Sequence, residues 1–144
     1  MRPWSVVAVP ALALPLALLP GIAPAQQVWR DGSGRIVGTT DRGPGGRTTY
    51  RDAAGRITGT RDAAPGGATL RDGSGRITGT ESRGAGGQTT LRDASGRITG
   101  TREEGLGGRV TIRDSSGRIT GTEERGPNGA VTVRDAQGRI VGTR

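Results

Sequence analysis

The sequence predicts an all-β protein: an antiparallel meander of six β-hairpin repeats, about 21 residues each, folded as a curled or barrel-like single sheet. Three observations carry this expectation. The unit Arg-Asp-x-x-Gly-Arg-Ile-x-Gly-Thr starts at Arg30, Arg51, Arg71, Arg92, Arg113 and Arg134, so the period is 20 or 21 residues. Within each unit, apolar and polar residues alternate on both sides of an Asp-x-x-Gly stretch, the pattern of two short strands and a turn. Gly accounts for 28 and Pro for 8 of the 144 residues, a composition suited to many turns.

The elements follow in order. Residues 1–25 have the form of a secretory signal peptide: Arg2, an apolar stretch from Val6 to Leu19, then Ala23-Pro24-Ala25 ahead of a cut before Gln26. The apolar run is short of the roughly 20 residues of a membrane span, and Pro10 and Pro15 interrupt it. The expected protein is therefore periplasmic or secreted, and bacterial. Residues 26–144 form one six-repeat β domain. In the fifth repeat Val110 to Arg113 alternates as a strand, Asp114-Ser115-Ser116-Gly117 turns, and Arg118 to Thr122 alternates again. Asp can bond its own backbone two residues on, and Gly accepts the left-handed conformation that closes such a turn. The turn glycines are Gly34, Gly55, Gly75, Gly96, Gly117 and Gly138. The second connection is longer and Gly-rich, as in Glu103 to Gly108, and the one before Leu70 is a residue shorter.

Alternation assigns the faces. One face is expected to carry Trp29, Tyr50, Leu70, Leu91, Ile112 and Val133 together with Ile36, Ile57, Ile77, Ile98, Ile119 and Ile140, and the glycines of the Gly-Thr pairs. The other carries Arg and Thr, such as Arg51, Arg56, Thr58 and Thr60. This assumes a four-residue turn that pairs Tyr50 with Ile57 and Arg51 with Arg56. A three-residue turn with a bulge would pair Asp52 with Arg56 and split the apolar residues across both faces; the first is preferred because it segregates them. About twelve strands of roughly five residues, each about 17 Å long, cannot stay flat with one apolar face. Glycine opposite each bulky residue leaves room for tight curvature. An outer-membrane barrel is not expected, because its strands need about 9–11 residues and aromatic girdles, and the chain has two Trp, one Tyr and no Phe. The chain ends on Thr143-Arg144 inside a strand pattern, an open edge through which self-association is expected.

Composition removes several chemistries. There is no Cys, His or Lys, and all 21 basic residues are Arg, so disulfides, thiol nucleophiles, imidazole bases and the usual zinc ligands are absent. No cofactor or metal and no enzymatic activity are expected. Residues 26–144 hold 20 Arg against 13 acids, and Leu, Ile and Val make up 16 of them, below the ~20 % that ordinarily supports a substantial core. The repeated Asp reads as a turn cap. Glu103-Glu104 and Glu123-Glu124 read as exposed solubilising charge in the long loops. The Gly-rich loops lack the Gly-Lys-Ser/Thr run of a phosphate cradle.

The Arg rows are the candidate site. Arg51/Arg56, Arg71/Arg76, Arg92/Arg97, Arg113/Arg118 and Arg134/Arg139 are expected to form a ladder across one face. Guanidinium forks suit sulfate, carboxylate and phosphate. The expected partner is an acidic polysaccharide or a cell-envelope component. Nucleic acid is not favoured, because stacking aromatics are missing, and no membrane span is expected after signal cleavage. Thr58-Gly59-Thr60 and its sisters resemble the Thr-x-Thr arrays of ice-binding β-solenoids, a minor alternative that the interspersed Arg disfavours.

Asp52-Ala53-Ala54-Gly55-Arg56-Ile57, Asp72 to Ile77, Asp93 to Ile98 and their sisters at Asp31, Asp114 and Asp135, repeating over residues 28–144, resemble the YD-repeat (Rhs-like) family. The resemblance implies an exported spiral β-sheet associated with carbohydrate binding, cell-surface contact or shells around toxin domains. Arg replaces the family's Tyr before Asp in all six copies, and Tyr50 stands one position further back. Six repeats are also too few for a closed shell, and no toxin domain follows. The expected function is a non-enzymatic binding or structural module that contacts an anionic glycan or envelope polymer through its Arg/Thr face. The alternative is a remnant or accessory of a YD-repeat toxin-carrier system.

Overall fold

Each short turn is closed by its Asp. In the second repeat the Asp52 backbone N–H donates to the Arg56 carbonyl at 2.9 Å, and the Gly55 N–H donates to the Asp52 carbonyl at 3.0 Å. Asp52 Oδ1 accepts from the backbone N–H groups of Ala54 and Arg56 at 2.9 and 3.0 Å. Gly55 sits at φ +80°, in the left-handed region that this turn requires. The turn therefore holds three residues, and the other five repeats close the same way, from Asp31–Arg35 to Asp135–Arg139.

These contacts come from a computed structural model that describes residues 26–144. The expected signal segment, residues 1–25, lies outside the described residues. Twelve strands follow in order: β1 Gln27–Asp31, β2 Ile36–Arg42, β3 Arg47–Asp52, β4 Ile57–Ala64, β5 Gly67–Asp72 and β6 Ile77–Arg83. The second half comprises β7 Gln88–Asp93, β8 Ile98–Glu104, β9 Val110–Asp114, β10 Ile119–Arg125, β11 Val131–Asp135 and β12 Ile140–Thr143. Single 3-10 turns at Pro44–Gly46, Ala85–Gly87 and Leu106–Gly108 fill three of the longer connections. The shorter connection before Leu70 becomes a two-residue turn, Pro65-Gly66, with Ala64 facing Gly67 and Gly66 at φ +77°.

The three-residue turn overturns the preferred face assignment. Arg51 faces Ile57 rather than Arg56, and Tyr50 faces Gly59 rather than Ile57. Thr58 is the extra residue of a bulge at this step. The same shift recurs in every short hairpin. Trp29, Tyr50, Leu70, Leu91, Ile112 and Val133 still share one face with the Gly-Thr glycines. Ile36, Ile57, Ile77, Ile98, Ile119 and Ile140 join the Arg on the other face, where they are 41–47 % exposed. The apolar set is split because the three-residue turn, held by Asp52 Oδ1 on two backbone N–H groups, sets this register.

The strands form a closed barrel, each paired with its sequence neighbours and β1 paired with β12. The edge expected at the C-terminus is thus paired within the chain. Closure repeats the internal pattern: Arg30 faces Thr143 and Asp31 faces Gly142, as Arg51 faces Thr39 and Asp52 faces Gly38. Each hairpin also staggers the register. Gly59 faces Tyr50 on one side and Asp72 on the other, and Asp72 lies two residues beyond Leu70, the counterpart of Tyr50. A constant stagger of this kind tilts the strands and lets a sheet close.

Glycine allows the curvature. A Cβ on Gly59 would lie 2.5 Å from the Arg71 carbonyl oxygen, and one on Gly121 would lie 2.6 Å from that of Arg134. The next strand can approach only because that atom is missing, while the large residue opposite fills the space on the inner side. The buried apolar residues Ala68, Val110, Ile112, Val131 and Val133 make a thin lining. We predict a β-type circular dichroism spectrum with one cooperative melt. Gly121→Ala should lower stability by about 1–3 kcal/mol through overpacking against backbone, whereas Ala54→Ser at an exposed turn tip should leave the melt unchanged.

Candidate anion-binding face and the buried charge ring

Two sets of Arg flank each short turn. Arg51, Arg71, Arg92, Arg113 and Arg134, with Arg30, precede the turn Asp and lie on the outer wall. Arg56, Arg76, Arg97, Arg118 and Arg139, with Arg35, close the turns themselves. The two sets do not face each other in pairs, so the cross-strand Arg–Arg ladder does not form. The outer wall instead repeats rows of three: Thr39–Arg51–Ile57, Thr60–Arg71–Ile77 and so on to Thr143–Arg30–Ile36. The Thr of each Gly-Thr pair is outward, but an Arg and an Ile separate it from the next Thr around a curved wall.

The wall guanidiniums are held in place. Arg51 Nη1 donates to the Gly55 carbonyl at 3.0 Å, and Arg30, Arg71, Arg92, Arg113 and Arg134 make the same bond to their own turn glycines at 2.9–3.1 Å. Four of them also meet a carboxylate from the preceding strand. Arg51 pairs with Asp41 at 3.1 Å, Arg71 with Asp62 at 3.4 Å, and Arg113 with Glu103 and Arg134 with Glu124 at 3.6 Å. At Arg92 the corresponding position is Ser82. Among the described residues Arg30 and Arg92 have no carboxylate within 4 Å.

The turn carboxylates are committed to their own turns. The Ser95 hydroxyl, with the Arg97 and Ser95 backbone N–H groups, holds the Asp93 carboxyl below the usual carboxylate range despite some desolvation. At Asp52 the Arg56 backbone N–H does most of the same work, followed by the Arg56 side chain. The rim at the short-turn end therefore carries twelve Arg against six Asp that are already bonded internally. The rest of the described chain holds eight Arg against seven carboxylates. Most of the net positive charge sits at one end of the barrel.

The inner face holds what sequence reasoning missed. Two residues after each Gly of Gly-Thr, the side chain returns to the inside: Thr40, Arg61, Glu81, Arg102, Glu123 and Arg144, in order around the barrel. The signs alternate. Arg61 meets Glu81 at 2.8 Å, and Glu123 Oε2 accepts from Arg102 at 3.3 Å and from Arg144 at 2.9 Å. The Arg144 guanidinium lies 4.7 Å above the Trp29 ring, and the Trp29 indole N–H donates to Thr40 Oγ1. Glu123 was expected to be exposed in a loop; it lies in β10 and is 2 % exposed. Glu103, Glu104 and Glu124 likewise lie in strands. Burial pushes the Arg102 and Arg144 guanidiniums below their ordinary range, and the Glu123 charge opposes that shift.

Tyr50 also points inward, and burial pushes its hydroxyl up to about 12. No family model matches the chain, and no curated protein matches it. The YD-repeat likeness thus rests on the six Asp-x-x-Gly-Arg-Ile runs themselves.

Two predictions follow from the inner face. Glu123→Ala leaves two buried guanidiniums without their carboxylate and should cost about 3–5 kcal/mol. Glu124→Ala, on the exposed wall, should stay within about 1 kcal/mol in denaturant melts. The second concerns alkali. The chain has no Lys, His or Cys and one Tyr, so Tyr50 is its only side chain with an ordinary pKa between about 5 and 12. Its folded pKa is raised, so the unfolded chain ionises first and stability falls as pH rises from about 10 through 12. Melts across that range should lose stability in the parent chain and lose much less in Tyr50→Phe, and tyrosinate absorbance should appear only near pH 12 while the barrel is folded.

Proposed function

We propose that the barrel is an exported, non-enzymatic binding module, periplasmic or secreted, that contacts an anionic glycan or envelope polymer through the Arg and Thr of its outer wall and short-turn rim. The concentration of guanidinium at one end carries this reading. Twelve Arg ring that end, and the six Asp beside them are bonded to turn backbone. Guanidinium forks recognise sulfate, carboxylate and phosphate in two-point fashion. The wall Arg are pre-oriented by turn carbonyls, so little side-chain freedom remains to be lost on binding. A repeating polyanion would meet the same Thr–Arg row at each step around the barrel.

Arg92 is free of the carboxylate that neutralises Arg51, Arg71, Arg113 and Arg134, so it should contribute most among them. The chain should be retained on an acidic polysaccharide column and released by salt. Joint replacement of Arg92, Arg97, Arg113 and Arg118 by Ser should abolish retention, and Arg92→Ser alone should elute earlier than Arg113→Ser. Unchanged retention of the fourfold variant would overturn the reading.

A further inference from the structure

Folding buries just over half of each outward Ile, and polyanion binding has no use for the apolar surface that stays exposed. The wall elsewhere uses Thr, which has the β-branching that a strand favours without exposing apolar surface. Yet Ile occupies the position after the turn in six of six repeats, 41–47 % exposed each time. Val37 and Val141, on the two strands flanking β1, add exposures of 47 and 48 %. Each Ile stands directly opposite a wall Arg, as Ile57 opposite Arg51 and Ile98 opposite Arg92. The barrel repeats itself at closure, so these side chains lie at one height around the rim.

A soluble polyanion would satisfy the guanidiniums and leave the Ile in water. A surface that is anionic in its outer layer and apolar just beneath satisfies both. The turn Asp remain charged, but the rim's twelve Arg outnumber its six Asp two to one, and each Asp is tied to its own turn by backbone N–H groups and, at Asp31, Asp72, Asp93 and Asp114, by a Ser hydroxyl. We propose that the short-turn rim docks end-on onto an anionic lipid bilayer, with guanidiniums on headgroup phosphates and the Ile ring at the boundary between headgroups and acyl chains. This rests on the reading of the Arg rim as an anion contact and names the envelope component it meets.

The test compares the full chain with the same chain carrying Ile57→Thr, Ile77→Thr, Ile98→Thr and Ile119→Thr, so that residues 1–25 contribute equally to both. Cosedimentation is measured with vesicles of equal phosphatidylglycerol and phosphatidylcholine. The expected result is at least about a tenfold weaker association of the variant, with its circular dichroism melt and its retention on the acidic polysaccharide column unchanged. Equal vesicle binding by the two chains overturns the lipid proposal and leaves the polyanion reading standing. Loss of column retention in the parent chain fails both. Should the fourfold variant not fold, Ile98→Thr with Ile119→Thr is measured instead, and undiminished vesicle binding by that folded pair overturns the proposal equally.

Discussion

An Asp carboxylate bonded to two N–H groups of its own turn sets the register on which this barrel depends. Side chains alternate with a period of two along a strand, so adding one residue to a turn would send every following side chain to the opposite face. In the second repeat the tight turn puts Ile57 outside, and the bulge at Thr58 then returns Gly59 to the inside, opposite Tyr50. Both steps are needed. The turn without the bulge would place a Thr against Tyr50, where a Cβ would meet the neighbouring strand's carbonyl. Six identical settings of this pair of irregularities give a constant stagger, and the constant stagger lets the last strand meet the first.

The width of the barrel accounts for its charged lining. Eight strands make an interior that ordinary side chains just fill, and the diameter grows with strand number. Twelve strands leave more space than Leu, Ile and Val can span. Arg and Glu are long enough to reach across, and alternating their signs around the ring lets each charge meet its opposite. Buried ion pairs add little net stability compared with apolar packing. Their contribution here is geometric: Glu123 ties β10 to β8 and to Arg144 just past β12, and Arg144 in turn lies over Trp29 on β1.

Much of the fold was legible in the sequence. The six repeats, their hairpins, the Asp caps and the glycine opposite each large residue are local features, written within a few neighbouring positions. The register was not, because segregation of apolar residues favoured one turn and backbone satisfaction favoured the other, and the second prevailed. The same choice decided the outer wall, where Ile57 rather than Arg56 faces Arg51. Gly121 faces inward in either register, so Glu123, two residues on, was missed because the strand was ended at Thr122 and Glu123 was read as loop, whereas β10 runs on to Arg125. The alternating series Arg61, Glu81, Arg102, Glu123 and Arg144 was the available signal, and it becomes readable once each strand is carried two residues beyond its Gly-Thr glycine. The wall carboxylates Asp41, Asp62, Glu103 and Glu124 were equally hidden, since their partners lie one strand away in a register that the turn alone determines.

The seam between β1 and β12 repeats, over its two residue pairs, the register between β2 and β3. The molecule consequently has no structural beginning. A chain opened at the Gly126–Gly129 connection and rejoined from Arg144 to Gln26 through a short linker like the one between β8 and β9 would contain the same strand pairs in the same cyclic order. The number of repeats is fixed for a related reason. A seventh hairpin would not extend the structure as it would in an open solenoid; it would widen the circumference and separate charges that now meet across the ring. Growth of this architecture by duplication is therefore constrained by what its lumen can hold.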